Sequence, residues 1–201
     1  MIAVVDYGMG NLRSVLNALE HVGAEATLAT AADQVGAAEK VVLPGVGAFG
    51  DGMRNLAQRG LATALQAFAT AGRPLLGICL GMQLLASRGT EFGDHEGLGL
   101  IPGTVDPLDT DQSLRVPHVG WNAVTPLSAS RLLIGLPSEP IFYFAHSYHL
   151  IPENPSTVTG TTDYGKPLTA SIERGNLFGV QFHPEKSQRD GLQLLENFVG
   201  L

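Results

Sequence analysis

The chain has 201 residues, 44% hydrophobic and 15% charged, a balance that fits a folded α/β domain spanning 1–201 and excludes a disordered chain. Twelve Lys and Arg against 19 Asp and Glu leave a net charge of −7, with no basic cluster, which argues against nucleic acid as a main partner. A single cysteine excludes an internal disulfide, the N-terminus reads as a strand rather than a secretory signal, and no apolar run has the roughly 18 residues of a membrane span, so a cytoplasmic location is expected.

Ile2 to Val5 predicts a buried strand, followed by a turn, Asp6 to Asn11, and a helix with Leu12, Val15, Leu16 and Leu19 on one face, ending near Gly23. Gly8 and Gly10 hint at a dinucleotide fingerprint, but Arg13 stands where its third glycine would be. Val41 to Leu43 is a second buried strand, running into Pro44-Gly45-Val46-Gly47-Ala48-Phe49-Gly50, a loop that can expose backbone N–H groups and change their direction cheaply. Leu56 to Ala71 reads as one helix, stopped by Gly72.

Pro74 to Ile78 reads as a buried strand, and Met82, Leu84, Leu85 and Ala86 begin a helical pattern. Ser87 to Gly99 is polar and Gly-rich and reads as a surface loop. Short β-like runs then follow at Arg115 to Val119, Ile141 to Phe144, Tyr148 to Ile151, Val158 to Thr162, Leu168 to Ile172 and Leu177 to Phe182, before a closing helix over Ser187 to Val199. The expected fold is α/β: a mixed, mainly parallel sheet flanked by helices, to which the second half adds antiparallel strands.

The chemistry centres on Gly77-Ile78-Cys79-Leu80-Gly81. Strand, then G-x-C-x-G, then helix is the pattern of a nucleophile elbow, and it places the thiol at a helix N-terminus, where oriented N–H groups favour the thiolate. A lone cysteine is more often a small buried hydrophobe; the flanking glycines and the strand-to-helix context favour the nucleophile. A thiol nucleophile needs a base, and the base an orienting acid. His183 ends an apolar strand, and in extended chain Glu185 points the same way, so the carboxylate can set the imidazole tautomer. The backbone N–H of Leu80 and one from the Gly45-Val46-Gly47 loop are the candidate oxyanion donors. His146 and His149 would point to opposite faces of one strand and lack acidic or thiol neighbours at metal spacing, so no metal is expected.

These motifs resemble the triad-type (class I) glutamine amidotransferases. Asp6 to Leu12, Leu43 to Gly50, Gly97 to Gly103, Pro117 to Asn122 and His183 to Ser187 narrow the resemblance to the glutaminase subunits of imidazole glycerol phosphate synthase, in histidine biosynthesis. The resemblance implies a flavodoxin-like amidotransferase fold and glutamine hydrolysis through a γ-glutamyl thioester on Cys79, with His183 moving the proton and Glu185 orienting it. It implies Val46 and Leu80 as oxyanion donors, and glutamine held by Gly47, Gln83, Glu91, Ser147 and Tyr148, with no cofactor. It implies a heterodimer with a (β/α)8-barrel cyclase subunit, docked through Arg13, Trp121, Tyr143 and Lys186. That subunit uses the ammonia to form imidazole glycerol phosphate and the aminoimidazole carboxamide nucleotide. The glycines around Val46 would let the partner complete the oxyanion hole. A stand-alone γ-glutamyl hydrolase, the glutaminase of pyridoxal phosphate synthesis and a non-catalytic interaction subunit are the alternatives. The second carries Gly-Gly-Glu-Ser where this chain has Pro44-Gly45-Val46-Gly47, and an intact Cys79, His183 and Glu185 argues against the third.

Overall fold

The computed structural model describes residues 1–109 and 114–201. In chain order it contains β1 (Ile2–Val5), α1 (Leu12–His21), β2 (Ala26–Ala29), α2 (Ala32–Ala37), β3 (Lys40–Gly45), α3 (Phe49–Gln58), α4 (Leu61–Thr70), β4 (Leu75–Cys79), α5 (Leu80–Leu84), β5 (Ala86–Gly89), β6 (His95–Glu96) and β7 (Ile101–Pro107). There follow β8 (His118–Ala123), β9 (Thr125–Pro126), β10 (Ile141–His146), β11 (Tyr148–Pro152), β12 (Val158–Asp163), β13 (Pro167–Arg174), β14 (Leu177–Val180) and α6 (Gln188–Val199).

The central sheet runs β2-β1-β3-β4-β14-β13-β12-β9. Its first five strands are parallel and the last three antiparallel, so the mixed sheet expected from the sequence is present. β1, β3 and β4 are continuous apolar runs because both faces are covered. Ala3, Val5, Val41 and Leu43 pack on one face against Phe49, Leu56, Leu61, Leu65 and Phe68 of α3 and α4. Ile2, Val4, Val42 and Leu76 pack on the other against Val15 and Leu19 of α1 and Leu194, Leu195 and Phe198 of α6. Each such fully buried aliphatic side chain contributes about 1.5–3 kcal/mol.

Several local expectations are corrected. The helix read over Leu56 to Ala71 is two helices, because Gly60 takes a left-handed φ of 68° between them, and the first begins at Phe49 inside the Gly-rich stretch. Ser87 to Gly99 is not simply a surface loop: β5 pairs with β6 and β7 in a second sheet, β11-β7-β5-β6. The run expected at Arg115 to Val119 is displaced to β8, which pairs with β10 in a two-stranded sheet. The second half therefore adds β12, β13, β14 and β9 to the central sheet and leaves the other strands in two small sheets. His146 and His149 do not share a strand. The chain turns at Ser147, and both side chains are buried.

Candidate active site

Cys79 closes β4, which lies between β3 and β14 in the parallel block, and is also the N-cap of α5, with φ 54° and ψ −113°. A left-handed φ at a non-glycine residue is strained, and such strain collects at functional turns. The flanking glycines make the turn sterically possible. A Cβ on Gly81 would lie 1.7 Å from the Leu43 carbonyl oxygen, and one on Gly77 would lie 2.7 Å from Met82 backbone atoms. The elbow is thus wedged between β3 and its own helix.

Parallel pairing then brings the other parts to the same edge. Gly45 is in register with Cys79 and Val180 with Ile78, so the segments leaving β3, β4 and β14 meet at the carboxyl end of the sheet, where open α/β folds bind ligands. The segment after β14 carries His183 and Glu185. Glu185 accepts a hydrogen bond from His183 Nδ1 at 2.8 Å, with both side chains 3% exposed. The pair forms although Pro184–Lys186 is a 3-10 turn rather than extended chain; the extended backbone of His183 sets the ring's direction before the turn begins. Ser187 locks this segment to β10: its hydroxyl donates to the His183 carbonyl at 2.6 Å and accepts from the Tyr143 N–H at 3.0 Å.

Burial pulls the His183 imidazole down from its usual 6.5, but Cys79 and the Glu185 carboxylate outweigh that and hold it at about 9. Its Nε2 is buried with no hydrogen-bond partner among the described residues. Cys79 therefore acts on it by proximity and charge in the free chain, an arrangement that commonly tightens once substrate is bound. A group charged at neutral pH, with one nitrogen free beside a thiol, can stabilise the thiolate and then deliver a proton.

A pocket of about 370 Å³ opens over the elbow, and Cys79, Leu80, Val46, Gly47, Gln83, Glu91, Ser147 and Tyr148 all line it. These are the residues that the sequence nominated around the substrate. Glu91 accepts a hydrogen bond from the Phe49 N–H at 2.9 Å, which places its carboxylate at the N-terminus of α3, a favourable position for an anion. Gln83 Nε2 is occupied internally, donating to the Tyr148 carbonyl and to Gln181 Oε1. Gly45 is not a free pivot beside Val46. It belongs to β3, and a Cβ there would lie 2.1 Å from Tyr7 Oη, whereas Gly47 has a φ of 117°.

The sequence reading missed Gln181. It is fully buried, two residues before the histidine, and its Nε2 reaches the Cys79 sulfur at 3.8 Å; its place at the end of an apolar strand was the available signal. It also missed Phe92, 87% exposed with a φ of 57° at the pocket rim. Of the four nominated docking residues, three adjoin one another. Trp121 is half exposed and packs edge-on against Tyr143 at 5.9 Å, and Lys186 Nζ lies 5.7 Å from the Tyr143 ring. Arg13 is exposed on α1, which packs beside the turn carrying Lys186.

The family model described as "Glutamine amidotransferase class-I" matches residues 3–200. "Imidazole glycerol phosphate synthase subunit HisH" of Moorella thermoacetica is 51% identical over 98% of this chain and 93% of its own, and the protein of the same description from Symbiobacterium thermophilum is 52% identical over 98% and 92%. The structure of PurLQS from Thermotoga maritima superposes with a TM-score of 0.79 at 20% identity, over 99% of this chain and 97% of that one, which supports the fold alone. With an elbow cysteine, a paired His-Glu and this similarity over almost its full length, the chain belongs to the class I glutamine amidotransferases, and within them to the HisH subunits of imidazole glycerol phosphate synthase.

Proposed function

We propose that residues 1–201 act as one glutaminase domain in which Cys79 is the nucleophile, His183 the proton carrier and Glu185 its orienting acid. The Cys79 sulfur attacks the side-chain amide carbon of glutamine. The oxygen takes up negative charge facing the N–H groups of Val46 and Leu80. The C–N bond breaks as His183 gives its Nε2 proton to the leaving ammonia. Water then attacks the thioester, His183 takes a proton from it, and glutamate leaves with the sulfur restored. Loss of one oxyanion donor typically costs about 10²–10³ in rate. Glu91 suits the α-ammonium of glutamine, and Gly47, Gln83, Ser147 and Tyr148 complete its binding site.

The observation that carries this reading is the meeting of the strained Cys79 with the buried His183–Glu185 pair at one sheet edge. The ammonia passes to a cyclase subunit of (β/α)8-barrel fold in the cytoplasm, docked on the face formed by Trp121, Tyr143 and Lys186 and flanked by Arg13. An aromatic pair with a cation beside it suits such an interface. Glutamate release from glutamine is measured with the chain alone and with a cyclase subunit and its nucleotide ligand. A low rate that rises with partner and vanishes in Cys79→Ala is expected. A high rate without partner would identify a stand-alone hydrolase, and no release in either case would remove glutamine as the substrate.

A further inference from the structure

A second polar system lies behind the pocket, made of groups the reaction above does not use. His146 lines the pocket and His118 lies behind it; both are buried. His146 Nδ1 is 2.9 Å from the Tyr148 carbonyl oxygen, and its Nε2 is 3.0 Å from His118 Nδ1. His118 Nε2 is in turn 3.3 Å from Asn122 Nδ2. Asn122 also donates to the Asp163 carbonyl and accepts from the Ala123 N–H.

The proton positions follow from what each end can do. A carbonyl oxygen only accepts, so His146 Nδ1 must carry the hydrogen. A neutral His146 then accepts at Nε2, and His118 must donate from Nδ1. His118 Nε2 is left as an acceptor, which matches the amide N–H₂ of Asn122 facing it. Every group in the series is satisfied in one direction only. Reversing any member sets donor against donor or leaves a buried acceptor without a partner.

The far end of this series reaches the nucleophile. The Tyr148 carbonyl accepts from His146 Nδ1 and also from Gln83 Nε2, at 2.9 Å each. Gln83 donates its second hydrogen to Gln181 Oε1 at 3.0 Å, and Gln181 Nε2 reaches the Cys79 sulfur at 3.8 Å. We propose that His146 is a positioning residue of this site. Held as its Nδ1–H tautomer by His118 and Asn122, it fixes the Tyr148 carbonyl from which Gln83, Gln181 and the Cys79 sulfur are aligned. The substrate role of the Ser147-Tyr148 segment rests on the glutaminase reading; the tautomers do not.

Two measurements test this. The first is a long-range ¹H–¹⁵N spectrum of the purified chain with labelled histidine at neutral pH, assigned through His118→Asn and His146→Asn. Both rings should show the Nδ1–H form. An Nε2–H form at either residue overturns the proposal whatever the substrate is. The second is glutamine turnover in His146→Asn and His146→Gln, with partner present. An Asn side chain places its N–H₂ where His Nδ1 stands, and Gln places it nearer Nε2. His146→Asn should therefore retain about 10-fold more kcat/KM than His146→Gln, the loss of a buried carbonyl's partner setting the scale, with the larger share of the difference in KM. Equal values for the two variants would overturn the positioning role. Absence of turnover in the wild type would instead count against the glutaminase reading and leave the spectrum to decide the tautomers.

Discussion

Gly81→Ala sets two effects of opposite sign against each other. Gly81 is a helical residue of α5, so alanine should favour the helix by about 0.8–1.0 kcal/mol. The added Cβ, however, would stand 1.7 Å from the Leu43 carbonyl oxygen and 2.7 Å from its carbonyl carbon. Both belong to the backbone of β3, which cannot rotate away as a side chain could. An ordinary contact needs roughly 3.5 Å or more, so α5 or β3 must move by well over an ångström. Overpacking costs about 1–3 kcal/mol and occasionally more, and a clash with rigid backbone belongs at the upper end, so the net change should be a loss of about 2 kcal/mol or more. Gly36→Ala is the control, because Gly36 lies inside α2 with nothing within 4 Å of its Cβ, and there the propensity gain should appear alone. Urea unfolding measures both, and turnover should fall in Gly81→Ala because the movement displaces Cys79. A Gly81→Ala midpoint at or above wild type with full activity would refute the steric account of the elbow.

Tyr7→Phe should leave the urea midpoint unchanged or raise it, because the Tyr7 hydroxyl is fully buried without a hydrogen-bond partner among the described residues and an orphaned polar group costs about 1–3 kcal/mol; a marked fall would show that the hydroxyl is satisfied. Glu91→Gln should raise KM for glutamine and weaken the start of α3 by about 0.3–1 kcal/mol, because it removes a carboxylate bonded to the Phe49 N–H; kinetics and thermal melting check the two parts. Glu185→Gln should lower the His183 pKa from its present value of about 9 by removing one of the two groups that raise it, and a ¹⁵N titration of that ring reads the change directly.

The parallel core was legible because β1, β3 and β4 are covered on both faces and so read as unbroken apolar runs. β2 was not: it forms the sheet edge, and Thr27 and Leu28 are exposed, so Ala-Thr-Leu-Ala shows neither alternation nor a run. The start of α3 was hidden by glycines whose reason is tertiary. A Cβ on Gly50 would meet the His95 ring at 2.7 Å, and one on Gly52 the Leu84 side chain at 3.1 Å, contacts no local pattern predicts. β5 was obscured because it pairs across to β7 and exposes Ser87 and Arg88. Cys79, His183 and Glu185 stood out by local chemistry, and the sheet topology explains why segments so far apart in sequence meet. Gln181 offered only its place at the end of an apolar strand, and the series from Asn122 to Tyr148 offered nothing, since its partners lie on separate strands and a buried amide carries no signature of its bond.

Four buried histidines have pKa values displaced in opposite directions, and this fixes the shape of the stability profile. Burial holds His118 at about 4 and His146 at about 3, and it also lowers His149, where Lys166 adds to the effect. His183 is held at about 9 because Cys79 and Glu185 outweigh the same burial. The buried rings differ in partner: His118 and His146 meet each other, an amide and a carbonyl, whereas His183 meets a carboxylate and a sulfur. Below the unfolded-state value of 6.5, the unfolded chain takes up protons that His118 and His146 refuse in the folded one, so their effect is to make stability fall with acid down toward pH 4 and 3. Above 6.5 the sign reverses. The folded chain keeps the His183 proton that the unfolded chain has lost, so the stabilisation present at lower pH is withdrawn as pH rises through about 9. The histidine contribution should therefore peak near the ordinary imidazole value. Replacing His146 by Asn should flatten the acid side and leave the basic side standing, while Glu185→Gln should bring the basic decline to lower pH. Urea midpoints across the pH range measure both; a basic limb that survives Glu185→Gln unmoved would show that the carboxylate is not what holds the His183 proton.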